Sequence, residues 1–237
     1  MVGTPRATGG LQYPAVDFGL LRYLEDDPLT FVLLMVGLIF AIGLHEYAHA
    51  LAADLQGDRM PRAMGRLTLN PIKHLDPMGT LALVLVGFGW GKPVEFRISA
   101  LSSKRFGAAI VALAGPGMNL FLAIVGSLLL GVVVRSSPDV AVIGGVIVNA
   151  TAPIKFLVLF SSVNVLLAVF NMIPLPPLDG SRLLTIFLPP SKQKIIFFLD
   201  QYGFFILLAL VFLTGLSFLD PIIARVQDWV LDLSGIF

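Results

Sequence analysis

The sequence predicts an all-α polytopic membrane protein, with about four to six transmembrane helices packed around one buried polar site. Three observations carry this. Hydrophobic residues make up 57% of the 237 positions and charged residues only 13%, with a mean hydropathy of +0.89, which is too little polar surface to cover a soluble globule. Apolar stretches long enough to cross a hydrocarbon core recur along the chain, separated by short polar segments. The titratable residues inside those stretches are few and concentrated.

The elements follow in order. Residues 1–29 hold Arg6, Arg22 and the acidic run Glu25-Asp26-Asp27 without an apolar core in signal-peptide order, so they are expected to stay outside the membrane, with the first span doing the targeting. Residues 31–55 are nearly continuous apolar sequence and carry His45-Glu46-Tyr47-Ala48-His49; at about 1.5 Å per residue they cross a core of roughly 30 Å. Residues 57–77 form a polar loop with Arg59, Arg62, Arg66 and Lys73, ending in the turn signals Asn70-Pro71 and Asp76-Pro77. Residues 78–90 are apolar but too short to span, which predicts a re-entrant or interfacial piece. The glycine-rich stretch 87–94 predicts a short hairpin with a free edge, able to take an extended peptide as an added strand at Gly89, Trp90 and Gly91.

Residues 106–134 form a second span, interrupted by Gly115-Pro116-Gly117 and carrying Asn119. Residues 140–148 are a short extra apolar piece. A third span, 153–173, runs into Pro174-Leu175-Pro176-Pro177-Leu178-Asp179-Gly180, where the prolines cannot continue the helix ladder. A fourth follows at 195–219. In the remaining 220–237 the apolar residues Ile222, Ile223, Val226, Trp229, Val230 and Leu233 recur at helical spacing, predicting an amphipathic interfacial helix. No internal repeat is evident, and the chain reads as a single membrane-embedded domain, 1–237, with its core at 30–194.

Charge sets the expected orientation. Residues 57–106 hold eight Lys and Arg, and Arg182, Lys192 and Lys194 bring that side to eleven, against five on the other. Cytoplasmic loops retain basic residues, which places the His pair near the cytoplasmic end of the first span. A net charge of +1 without a clustered basic face argues against a nucleic-acid partner. The absence of cysteine excludes disulfides and thiolate metal sites.

The chemistry concentrates in the first span. Residues four apart on a helix share a face, so His45 and His49 can offer imidazole nitrogens to one metal ion. Glu46 lies about 100° round from His45, beside that ion without being forced into ligation, which suits a general base acting on metal-activated water. A carboxylate inside a membrane helix costs several kcal/mol unless compensated, which makes the trio a functional site by default. A hydrolytic zinc needs a third protein ligand. His74 sits in the polar loop, Asp54 points away from the His face and Asp200 follows a basic loop. Asp179, where prolines and Gly180 free the backbone, is the best remaining candidate.

His45-Glu46-x-x-His49, Gly115-Pro116-x-x-Asn119 and Asn171-x-x-Pro174-x-Pro176-Pro177-Leu178-Asp179-Gly180 stand in the order and spacing of the site-2 protease family of intramembrane metalloproteases. The stretches 69–77 and 89–94 also resemble its compact bacterial and archaeal members, and the resemblance covers roughly residues 30 to 190. It implies that His45, His49 and Asp179 ligate one zinc ion, that Glu46 is the catalytic base and that Asn171 lies by the scissile bond. Asn119, with Gly89 to Gly91, is assigned to substrate binding. The resemblance further implies single-pass membrane proteins or leftover signal peptides as substrates, cleaved within the bilayer of a prokaryotic plasma membrane. A metal transporter would spread its polar residues along a path or show inverted repeats, and a zinc scaffold would not need Glu46.

Overall fold

The computed structural model describes residues 10–11 and 20–237, apart from 88, 144, 188–192 and 216. Most of the N-terminal stretch expected to lie outside the membrane, and Lys192 of the basic loop, therefore fall outside the described residues.

Among the described residues, four helices are long and apolar enough to cross a membrane. They belong to α2 (Pro28–Leu55), α5 (Lys104–Arg135), α6 (Ala152–Asn171) and α8 (Gln193–Thr214). In lipid every backbone polar group must find its partner within the segment, so these apolar runs have helix as their available form. Their starts are chemically marked. Pro28 opens α2, and the Asp27 carboxylate before it accepts from the Thr30 amide (3.1 Å) and hydroxyl (2.6 Å), satisfying donors that the first turn leaves free. Around the spans lie the short α1 (Leu20–Asp26), α3 (Met60–Ala63), α4 (Pro77–Val86), α7 (Gly180–Phe187) and α9 (Asp220–Asp232).

The core is where α2, α5 and α6 meet. Leu34, Leu38 and Ala41 of α2 pack with Leu159 and Val163 of α6, and Leu20 of α1 joins them. Behind these, Leu130 and Val134 of α5 meet Ile154 and Val158 of α6 and Leu231 of α9. The last contact revises the reading of the C-terminal stretch. Residues 220–232 do form an amphipathic helix, but α9 closes the bundle: Val230 is fully buried, and its carbonyl accepts from Ser127 Oγ at 2.6 Å. Ile222 and Trp229 are left exposed.

The short apolar run after the polar loop becomes α4, capped by Asp76 Oδ1 accepting from Gly79 N at 2.8 Å and closed by Gly87 in the left-handed region at φ 79°. At ten residues it is too short to span. Among the described residues of 87–94 the expected hairpin is not seen. Instead Gly91 bridges to Leu75, and Lys92 N donates to His74 O at 2.7 Å, so the polar loop takes the edge that a second strand would have occupied. A hairpin does occur in the extra apolar piece, where β2 (Ala141–Ile143) pairs antiparallel with β3 (Val146–Val148), whose other edge pairs with β1 (Gly10–Leu11). Val142, Ile143, Val146, Ile147 and Val148 are β-branched, which suits a pleated, half-covered surface.

Candidate metal centre

His45 and His49 sit in the C-terminal half of α2, one turn apart and both buried. Asp179 reaches them from the loop that follows α6, directly before α7. His45 Nε2 and His49 Nε2 are 3.0 Å apart, and Asp179 Oδ2 lies 3.1 Å from the first and 3.2 Å from the second.

The far side of each ring decides what these atoms are. His49 Nδ1 donates to Val111 O at 2.7 Å; a carbonyl only accepts, so Nδ1 carries a proton and the neutral ring has its lone pair on Nε2. His45 Nδ1 faces Asn119 Oδ1 at 2.6 Å, with the same consequence. With both rings neutral, three lone-pair atoms converge, and Asp179 Oδ2 is buried without a hydrogen-bond donor. Such a donor set is satisfied by a cation, and two imidazole nitrogens with one carboxylate oxygen fit zinc with a coordination position to spare. The space for it is kept by Gly115 of α5, where a side-chain carbon would stand 2.6 Å from His45 Nε2 and against His49 Nε2. Pro116 has no N–H to offer Ala112 O, so the ladder of α5 is interrupted in the turn whose Val111 carbonyl serves His49.

His45, Glu46, His49, Gly89, Trp90, Gly91, Asn171 and Asp179 all line one cavity of about 370 Å³. Apart from Arg182 its remaining wall is largely apolar, with Leu20, Leu34, Leu38, Val163, Leu167, Phe170 and Leu207 among the lining residues. Glu46 Oε2 accepts from Val94 N at 3.2 Å, so the segment after α4 lies across the glutamate. The amide of Asn171 donates to Leu167 O, 3.0 Å away in its own helix.

Asn119 is placed elsewhere than expected. It is fully buried, does not line the cavity, and spends its amide on His45, Ala41 O (3.3 Å) and Asn164 Oδ1 (2.8 Å). That is a position behind His45, outside the lining of the cavity. The acids set aside on sequence grounds stay apart from the centre: Asp54 is paired with Arg62 at 2.7 Å and Arg59 at 3.1 Å, and His74 is buried with Nε2 2.9 Å from Thr68 O. Asn164 escaped the sequence reading, although an amide in the apolar run 153–173, where only Asn171 was singled out, carries a signal of cost like that of Glu46.

The model of peptidase family M50 matches residues 33–213. The chain is 37% identical over 207 residues to "Putative zinc metalloprotease YwhC" of Bacillus subtilis, covering 86% of this chain and 92% of that one. It is 33% identical over 233 residues to "Putative zinc metalloprotease Rip2" of Mycolicibacterium smegmatis, covering 92% and 83%. The Rip2 of Mycobacterium tuberculosis is 33% identical over 218 residues, covering 87% and 76%. No solved structure matches the chain significantly. With a family match across most of its length, and a His-His-Asp group that could hold one metal ion among membrane-length helices, the chain belongs to peptidase family M50, the site-2 proteases, and is a membrane zinc metalloprotease.

Proposed function

We propose that this enzyme cuts single-pass membrane proteins or leftover signal peptides within or near their transmembrane segments, with His45, His49 and Asp179 as zinc ligands and Glu46 as the general base. The observation that carries the reading is the shared cavity: ligand atoms, a carboxylate and an apolar wall open onto one space of about 370 Å³, the lining expected for a substrate drawn from lipid. Zinc bound there supplies Lewis acidity, polarising a peptide carbonyl and making water nucleophilic at neutral pH. Glu46 takes the proton from the attacking water and returns it to the leaving amine. Asn171, at the cavity edge, donates a hydrogen bond to the substrate backbone or to the oxyanion that develops on it.

A helical substrate hides its carbonyls in its own ladder, so cleavage requires local unwinding. The segment from Gly89 to Val94 lies beside the site and supplies the surface against which the unwound strand rests. Eleven of the sixteen Lys and Arg fall on the side of the polar loop, which supports an active site facing the cytoplasm. The bacterial sources of the relatives support a prokaryotic plasma membrane.

Purified wild type and Glu46→Gln, incubated with tagged single-span substrates in liposomes, test the reading. Glu46→Gln is expected to keep about one zinc per chain and to lose cleavage by at least about 100-fold, the scale of a lost general base. Cleavage that survives the substitution would remove Glu46 from the mechanism.

A further inference from the structure

Asn164 lies in α6, fully buried, and the chemistry above does not touch it. Its amide is nonetheless the far end of a hydrogen-bond chain that finishes at His45. Asn164 Nδ2 donates to Phe160 O at 2.9 Å, and its Oδ1 accepts from Asn119 Nδ2 at 2.8 Å. Asn119 Nδ2 also donates to Ala41 O at 3.3 Å, and Asn119 Oδ1 faces His45 Nδ1 at 2.6 Å. The chain crosses three helices, α6, α5 and α2.

Its direction is fixed by atoms with a single role. Phe160 O and Ala41 O are carbonyls and can only accept, so each amide turns its NH2 group toward one of them. The oxygen of Asn164 then meets the NH2 of Asn119, and the oxygen of Asn119 meets His45. An acceptor at that place requires the proton on His45 Nδ1 and leaves Nε2 bare, pointing at His49 and Asp179.

We propose that Asn164 is a positioning residue for the metal centre: acting through Asn119, it sets the tautomer and ring orientation that make His45 Nε2 a ligand. The proposal rests on the reading of His45 as a zinc ligand. His49 needs no such relay, because the Val111 carbonyl fixes its Nδ1 directly. His45 faces a side-chain amide, which has two orientations. Rotated by half a turn, Asn119 would offer NH2 to Nδ1, and the imidazole would have to carry its proton on Nε2, where the metal binds. Ala41 O and Asn164 Oδ1 together disfavour that orientation, since each meets only the NH2 group, and the Asn164 contact is the closer at 2.8 Å against 3.3 Å.

Full-length protein in detergent, stripped of metal, provides the test. Zinc affinity is read by competition with a chelating indicator, and ligand geometry by the absorption bands of bound Co2+, for wild type, His45→Ala, Asn164→Leu and Asn164→Asp. A buried aspartic acid is neutral, so Asn164→Asp can donate its O–H to Phe160 O while accepting from Asn119, and is expected to keep the wild-type affinity and spectrum. Asn164→Leu is expected to weaken zinc by about 10- to 100-fold, the scale of outer partners of ligating histidines, and to move the Co2+ bands. Wild-type behaviour of Asn164→Leu overturns the relay, and so does equal weakening in Asn164→Leu and Asn164→Asp, which would mark a packing role. If Asn164→Leu does not yield a folded protein, Asn164→Ala replaces it under the same criteria. Undiminished metal binding by His45→Ala overturns the ligand reading itself; loss there with wild-type behaviour of Asn164→Leu overturns the relay alone.

Discussion

A methyl group at position 115 would stand against the Nε2 atoms of His45 and His49. Glycine inside a helix is ordinarily a cost of about 1 kcal/mol relative to alanine, so its place in α5 is explained by the room it leaves. Gly115→Ala is therefore expected to lower the zinc retained after dialysis by at least about tenfold, while its gain in helix propensity is opposed by the clash with two buried imidazoles, so that it does not stabilise the protein. Metal analysis and thermal unfolding of the same sample check both halves. His45, Glu46, His49 and Asp179 were legible in the sequence because charge within apolar runs is expensive and spacing on a helix is fixed. Asn119 was legible as a polar residue but not as a partner of His45. Its neighbours, His45 Nδ1 and Asn164, lie 74 and 45 residues away in sequence, and periodicity within one helix says nothing about which face of another it meets.

The segment after α4 shows what an element inherits from its neighbours. Its glycines and short apolar lead suggested a hairpin, since a run of that length does not distinguish strand from helix by pattern alone. The polar loop decides otherwise. Arg66, itself buried, donates to Lys73 O at 2.8 Å and Pro93 O at 3.3 Å, tying loop and segment together. Asp58 holds the far end, accepting from Arg97 N at 2.6 Å, Arg97 Nη2 at 3.3 Å and Met60 N at 3.1 Å. Burial would raise the Asp58 pKa, but the amides of Arg97 and Met60 and the Arg97 guanidinium outweigh it and hold the carboxyl below its usual range. A lowered folded-state pKa gives stability that is present above the unfolded value and lost as pH falls through the folded one. Protection of residues 92–97 against hydrogen exchange, with the intrinsic pH dependence divided out, should thus be unchanged between about pH 7 and about pH 5 and fall only in stronger acid. Asp58→Asn, which cannot accept all three bonds, should raise that exchange already at neutral pH, by a local loss of about 1.5–3 kcal/mol. Equal protection in the variant would mean that the segment is held from elsewhere.

At the scale of the molecule, the four spans stood out in the sequence because length and hydropathy are properties of the chain itself, and the boundaries shifted by only a few residues. The packing order did not stand out: that α9 would fold back on α5 and α6 follows from contacts such as Gln227 Nε2 to Ser162 Oγ at 2.8 Å, which join elements far apart in sequence. The spans are also unequal. Half of the window in α6 is buried and 39% of those in α2 and α5, but only 11% of that in α8, which still supplies Phe204 and Leu207 to the cavity wall. One wall of the cavity is consequently little covered by the described protein on its outer side, the side a bilayer would meet. Acyl chains that are too short or too long change the tilt such a helix adopts, while His45 and His49 of α2 and the Asp179 loop lie on the protein-packed side. Reconstitution in phosphatidylcholines of increasing chain length should therefore give cleavage with a severalfold optimum at about 30 Å of hydrocarbon thickness and a zinc content that stays level. Bilayer thickness and lateral pressure are thereby reagents for this enzyme, and a change in membrane composition can act on turnover without any ligand reaching the catalytic centre.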